Sequence, residues 1–74
     1  MANQVDNYLI QTLGGMSMGM WKGNSPQEAL LKFYRKRGYT NHHVWLEDGQ
    51  LKFGEDILDI FGSAQNTWLV EKVS

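Results

Sequence analysis

The sequence has no cysteine, a single proline, almost no net charge and no long apolar run, and each shortage removes a class of answers. Without Cys there is no disulfide, no thiolate nucleophile and no thiolate metal site, a composition that fits a reducing compartment. No apolar run approaches the ~20 residues that a membrane-spanning helix needs. The N-terminal MANQVDNY has neither the basic region nor the apolar core of a secretory signal. The expectation is a soluble, cytoplasmic protein. Seven Lys and Arg against eight Asp and Glu leave a net charge of −1, so no global field draws the chain to nucleic acid. Catalytic signatures are missing as well: there is no Walker loop, no G-x-G-x-x-G, no G-x-S-x-G and no D-x-D-x-D-G calcium loop. The reading is a non-enzymatic chain with no cofactor, formed from one small domain of 74 residues whose core is near the lower limit for unaided folding.

What is present begins with SPQEALLKFYRKRG, Ser25 to Gly38. Ser25 suits the N-cap, with Glu28 placed to reach back to the N–H of Ser25, and Pro26 suits the first helical position. Ala29, Leu30, Phe33 and Tyr34 recur at helical spacing and form one apolar stripe, with Leu31 on its flank. Cations in the last turn favour the negative end of the helix dipole, and Gly38 can take the left-handed conformation that closes it. So short a helix is marginal alone in water, and its stripe must be buried against the rest of the chain.

Around this helix the chain alternates as strands do. Residues 1–5 read as a loose terminus. Tyr8–Leu13 and Met16–Lys22 flank Gly14-Gly15, which suits a two-residue hairpin turn. That register sets Leu13 against Met16, Gln11 against Met18 and Leu9 against Met20 on a face toward the helix. Tyr8 against Trp21, Ile10 against Gly19 and Thr12 against Ser17 then lie on the reverse; a longer loop would exchange the faces. His43–Glu47 and Gln50–Phe53 flank Asp48-Gly49, a strong hairpin signal, which pairs Leu46 with Leu51, Val44 with Phe53, Trp45 with Lys52 and Glu47 with Gln50. Gly54–Gly62 fits a short helix over 55–61, or else a strand, and Thr67–Val73 reads as a final strand. The predicted fold class is α+β: an antiparallel or mixed sheet of about five strands, in the order ββαββ, short α, β, with the main helix on one face.

YLIQTLGGMSMGMWKG followed by SPQEALLKFYRKRGY and ending in TWLVEKV resembles small uncharacterised bacterial α+β proteins. Those have a Gly-containing strand pair, a helix opening S-P-x-E-A and closing in Gly-Tyr, and a terminal strand with Val and Glu. The resemblance implies that fold and carries no activity or site residue with it.

Several groupings suggest chemistry. His42 and His43 are adjacent, so on a strand they point to opposite faces and fit titrating surface residues better than joint metal ligands. Met16, Met18 and Met20 would share a strand face, as a soft cation such as Cu(I) requires, but alternate Met opposite Leu is also an adaptable core wall. Glu55, Asp56 and Asp59 suit the start and outer face of the short helix. Lys32, Arg35, Lys36 and Arg37, flanked by Tyr39, His42, His43 and Trp45, combine cations with stackable rings and give the alternative reading, a nucleic-acid-binding face. The leading expectation is different. Tyr8, Trp21 and Trp45, joined by Trp68, point away from the helix and leave an aromatic patch for the short helix, a second copy in a homodimer, or another protein partner to cover.

Overall fold

The structure, a computed structural model, describes residues 5–40 and 43–73. Residues 1–4, where a loose terminus is expected, and His42 of the histidine pair lie outside the described residues. The helix α1, Pro26–Lys36, forms as its sequence dictates. The Glu28 N–H donates to Ser25 Oγ at 3.1 Å. The Glu28 carboxylate accepts from the Asn24 N–H at 2.7 Å, one residue before the N–H expected from the capping pattern. At the other end the Gly38 N–H bonds the Arg35 carbonyl and the Tyr39 N–H bonds the Tyr34 carbonyl. With Gly38 at φ 93° this is a Schellman closure. Its usual apolar contact is present too, since the Tyr34 and Tyr39 rings meet edge to face at 5.9 Å.

Five strands accompany the helix: β1 Asp6–Gln11, β2 Ser17–Gly23, β3 Val44–Glu47, β4 Gln50–Leu58 and β5 Ala64–Lys72. They form one antiparallel sheet in the order β2-β1-β5-β4-β3, with α1 against one face, so the fold is α+β, ββαβββ. The β3–β4 hairpin has the expected register, Val44 to Phe53, Trp45 to Lys52, Leu46 to Leu51 and Glu47 to Gln50. Positive φ at both Asp48 (52°) and Gly49 (78°) is what the primed two-residue turn demands.

The β1–β2 hairpin differs from its expectation in its loop and in its faces. The Thr12 N–H donates to the Met16 carbonyl, and the Gly15 N–H to the Thr12 carbonyl. The loop is therefore three residues long, with Gly15 left-handed at φ 93°. The longer loop displaces the lower register, so Gln11 pairs with Ser17 rather than Met18. A bulge in β2, with Gly19 at φ 93°, then absorbs one extra residue and restores Leu9 to Met20 and Tyr8 to Trp21. The partners are as expected at that end, but the helix lies on the opposite side. Tyr8, Ile10 and Thr12 are buried, Ile10 in one cluster with Leu30, Phe33 and Tyr34 of α1, and Trp21 packs against the Phe33 ring at 5.4 Å. Side-chain chemistry explains the choice. The face holding Leu9 and Met20 also holds Gln11, whose amide would need partners inside. The face holding Tyr8, Ile10 and Trp21 buries more apolar surface, at roughly 1.5–3 kcal/mol for each large side chain. Its polar atoms are also satisfied, since the Trp21 indole N–H reaches the Met18 carbonyl at 3.0 Å and Thr12 Oγ1 accepts from the Met16 N–H at 3.1 Å.

The short helix over 55–61 is not formed. Residues through Leu58 continue β4, and Ile57 and Leu58 pair with Gln65 and Ala64. Only Ile57 of the apolar trio is buried, while Ile60 and Phe61 are exposed. Asp59 ends the strand instead of decorating a helix. Its carboxylate accepts from the N–H groups of Phe61 and Ser63 at 2.8 and 2.9 Å and from the Gln65 amide at 2.6 Å. Main-chain bonds from Asp59 to Ser63 and from Gly62 to Asp59 close a second three-residue loop of the β1–β2 kind. These bonds outcompete the helical spacing because they satisfy the backbone within five residues.

Between helix and sheet lies an aromatic core. Trp68 is fully buried, and its indole N–H donates to the Tyr34 hydroxyl at 2.6 Å, while that hydroxyl donates onward to the Gln65 carbonyl at 3.3 Å. Phe53 stacks on Tyr34 with centroids 3.7 Å apart, and Phe33 meets Trp68 edge to face at 5.1 Å. No buried side-chain nitrogen or oxygen among the described residues lacks a hydrogen-bond partner.

Candidate interaction surface

This core reassigns the residues expected to form an aromatic docking face. Tyr8 and Trp68 are buried and Trp21 is half-buried, all three on the helix side of the sheet. Their placement is a correction to the outward orientation, and its cause is the exchange of faces in the first hairpin together with the inward turn of Trp68 on β5. Trp45 alone keeps to the face away from the helix. It is half-buried there, and its indole N–H donates to Glu47 Oε1 at 3.1 Å. That bond, joined by Lys52 Nζ at 3.4 Å, holds the Glu47 carboxyl below the usual carboxylate range. The His43 ring lies beside Trp45 at 5.2 Å. Indole, carboxylate and ammonium satisfy one another across β3 and β4, which is how a solvated sheet face is built.

The thioethers do not share a face. Met18 packs against the core while Met20 is exposed, because the Gly19 bulge falls between them. Among the described residues no group of three His, Asp or Glu side chains assembles into a metal cage.

On the helix, Lys32, Arg35, Lys36 and Arg37 lie exposed. Arg37 and Lys32 make contacts within the chain. Arg37 Nη1 donates to the Leu58 carbonyl at 2.9 Å, and its guanidinium sits 5.1 Å from the centre of the Phe33 ring. Lys32 Nζ is 4.0 Å from Glu28, one turn away. Arg37 thus ties the helix C-terminus to the last residue of β4 and fixes the end of the sheet beside it.

That end is where apolar side chains stand open. Leu13 is 52% exposed, Leu58 56%, Ile60 63% and Phe61 75%. The two three-residue loops converge there, and Leu13, Met16, Asp59 and Phe61 help to line a shared cleft of about 470 Å³. Neither loop needs Leu13, Ile60 or Phe61 for its shape. The turns are set by Thr12 and Gly15 in one and by Asp59 and Gly62 in the other, and the central positions are free to be polar. Composition alone does not mark this site, because it arises only when two loops, far apart in the chain, adopt the same geometry at one end of the sheet. Ile60 and Phe61 carried a signal, read instead as the buried stripe of a helix.

No helix among the described residues is long and apolar enough to cross a membrane. No protein-family model, curated protein or solved structure matches this chain.

Proposed function

We propose that the chain is a non-catalytic interaction module that associates with a second copy of itself through the loop end. The observation that carries this reading is the exposure of Leu13 and Phe61, which line the cleft between the two loops, with Ile60, also exposed, beside Phe61 in the second loop. Single exposed aliphatic residues are ordinary, but several converging on one rigid end are the usual mark of a contact site. The loops are rigid for physical reasons: Asp59 fixes one with three hydrogen bonds, Thr12 Oγ1 bridges the other, and Arg37 braces Leu58 from the helix. Little ordering cost remains to be met on association. The tryptophans take no part, since Trp21 and Trp68 belong to the core side and Trp45 is engaged with Glu47.

Sedimentation equilibrium at micromolar concentration tests the reading, with Ile60→Ser/Phe61→Ser as the comparison. The wild type is expected to form dimers, and the double variant to remain monomeric with unchanged unfolding. A clean monomer for the wild type overturns the proposal. Nucleic-acid binding through Lys32, Arg35, Lys36 and Arg37 has less support, since Arg37 and Lys32 are engaged within the chain. Retention on single-stranded DNA or RNA that falls steeply with salt would favour it instead.

A further inference from the structure

The opposite end of β5 carries a different feature, independent of the loop end. β5 pairs with β4 only as far as Trp68, opposite Leu51, and with β1 only from Leu69 to Lys72. Over residues 69–72 the strand therefore has a ladder on one edge alone. The Val73 N–H donates to the Asn7 carbonyl at 2.8 Å, which fixes the alternation. Main-chain groups of residues 69, 71 and 73 face β1, and those of Val70 and Lys72 face the other way. Among the described residues neither Val70 nor Lys72 bonds to the Asp48-Gly49 turn, which stands beyond the end of the pairing. Between this edge and the turn runs a slot of about 410 Å³. Leu46, Leu51, Val70 and Pro26 line it on the helix side, and Leu69 and Glu71 on the other.

We infer that this slot takes an extended peptide segment by strand addition, its main chain completing the open edge of β5 at Val70 and Lys72. Unpaired N–H and C=O groups in ladder geometry select a strand over any other occupant. At about 3.3 Å per residue the open run holds three or four residues. Successive side chains of that segment would alternate between the Leu46–Leu51–Val70 wall and the outer face. Glu71 lines the slot, and Asp48 precedes its lining residue Gly49 in the chain, so the segment that fits alternates apolar residues with Lys or Arg. The other free edges of the sheet are guarded, β2 by its Gly19 bulge and β3 by being only four residues long.

The probe is the peptide acetyl-Lys-Val-Lys-Val-Lys-amide, titrated into the ¹⁵N-labelled full chain at physiological salt, beside the same sequence methylated on its backbone nitrogens. Expected are saturable shifts and slowed amide exchange at Val70 and Lys72, with at least tenfold weaker binding by the methylated peptide. Val70→Pro, which removes the donor facing the slot and spares those used toward β1, is expected to abolish the effect. If that variant does not fold, the methylated peptide decides alone. No saturable change, equal binding by the methylated peptide, or shifts centred away from 69–72 would overturn the inference.

Discussion

Tyr34 is the side chain on which most of the core depends. Its ring is stacked by Phe53, edged by Phe33, Tyr39 and Trp68, and its hydroxyl links the Trp68 indole to the Gln65 carbonyl. Replacing it with Phe keeps the ring and removes the link, which leaves a buried indole N–H without an acceptor. Tyr34→Phe is expected to cost about 1–3 kcal/mol in urea unfolding with an unchanged slope; a neutral effect would show that the hydroxyl does not matter. Burial pushes the hydroxyl well above its ordinary value of 10.0; the Trp68 bond is the next largest effect and opposes it, and the negative charges of Asp56 and Glu55 add smaller raises. A raised folded-state value means that the contribution is complete below about pH 10 and is lost as pH rises further, because only the unfolded chain ionises there. Stability measured from pH 8 to 11 should fall above 10 in the wild type, and less steeply in Tyr34→Phe.

Gly23 makes a second prediction at the same scale. A Cβ placed there would lie 2.8 Å from the Ala29 nitrogen and 3.3 Å from the Ala29 Cα, where the end of β2 meets the first turn of α1. Backbone cannot move aside as a flexible side chain can. Gly23→Ala is expected to destabilise by more than 1 kcal/mol, whereas Gly14→Ala, whose Cβ would meet only Thr12 Oγ1 at 3.8 Å, stays close to wild type. Thermal melts of the pair decide it, and equal midpoints would contradict the close approach.

Among the elements, each loop is a small self-contained device. The N–H of Ser63, and then those of Phe61 and Gly62 with the Gln65 amide, hold the Asp59 carboxyl below its ordinary value, against a partial loss of hydration. A depressed folded-state value means that its contribution is present above the unfolded value and disappears as pH falls through the folded one. Amide exchange at Phe61 and Ser63 should quicken in acid before the core does, and faster exchange spread evenly over the chain would argue against a local device. The same scale shows what the sequence disclosed. The helix and the β3–β4 hairpin were legible because their signals are local: Ser25, Pro26 and Glu28 at one end, Gly38 at the other, and Asp48-Gly49 between matched strands. The faces of β1 and β2 were not legible, because alternation places Leu9 and Tyr8 equally well. The decision falls to Gln11, to the length of the loop after Thr12 and to the bulge at Gly19. In the stretch after Gly54 the spacing of Ile57, Ile60 and Phe61 favours a short helix over a strand, and only pairing with β5 shows Ile57 buried and the other two left out. The candidate site was therefore not legible: the sequence pointed to Tyr8, Trp21, Trp45 and Trp68, and Leu13 and Phe61 come to line one cleft only once both loops have closed.

At the scale of the whole molecule the fold closes without help. Its accessible surface of 4592 Å² is close to the ~4,700 Å² expected of a folded monomer of 8.5 kDa, so no large part of the core waits for a partner. Association through Leu13, Ile60 and Phe61 would thus add to a stable monomer and depend on concentration, unlike an obligate dimer whose subunits unfold when separated. The chain is elongated, 41 × 24 × 24 Å, because the two hairpins are staggered along β5. That stagger separates the apolar loop end from the slot beside Val70, and leaves the two surfaces able to act independently. The most direct test of the self-association account is a ¹H–¹⁵N correlation spectrum recorded over a hundredfold range of protein concentration. Shifts that grow with concentration and centre on residues 12–16 and 58–63 are the predicted result, and shifts centred on Trp45 and Leu69, or none at all, would contradict it.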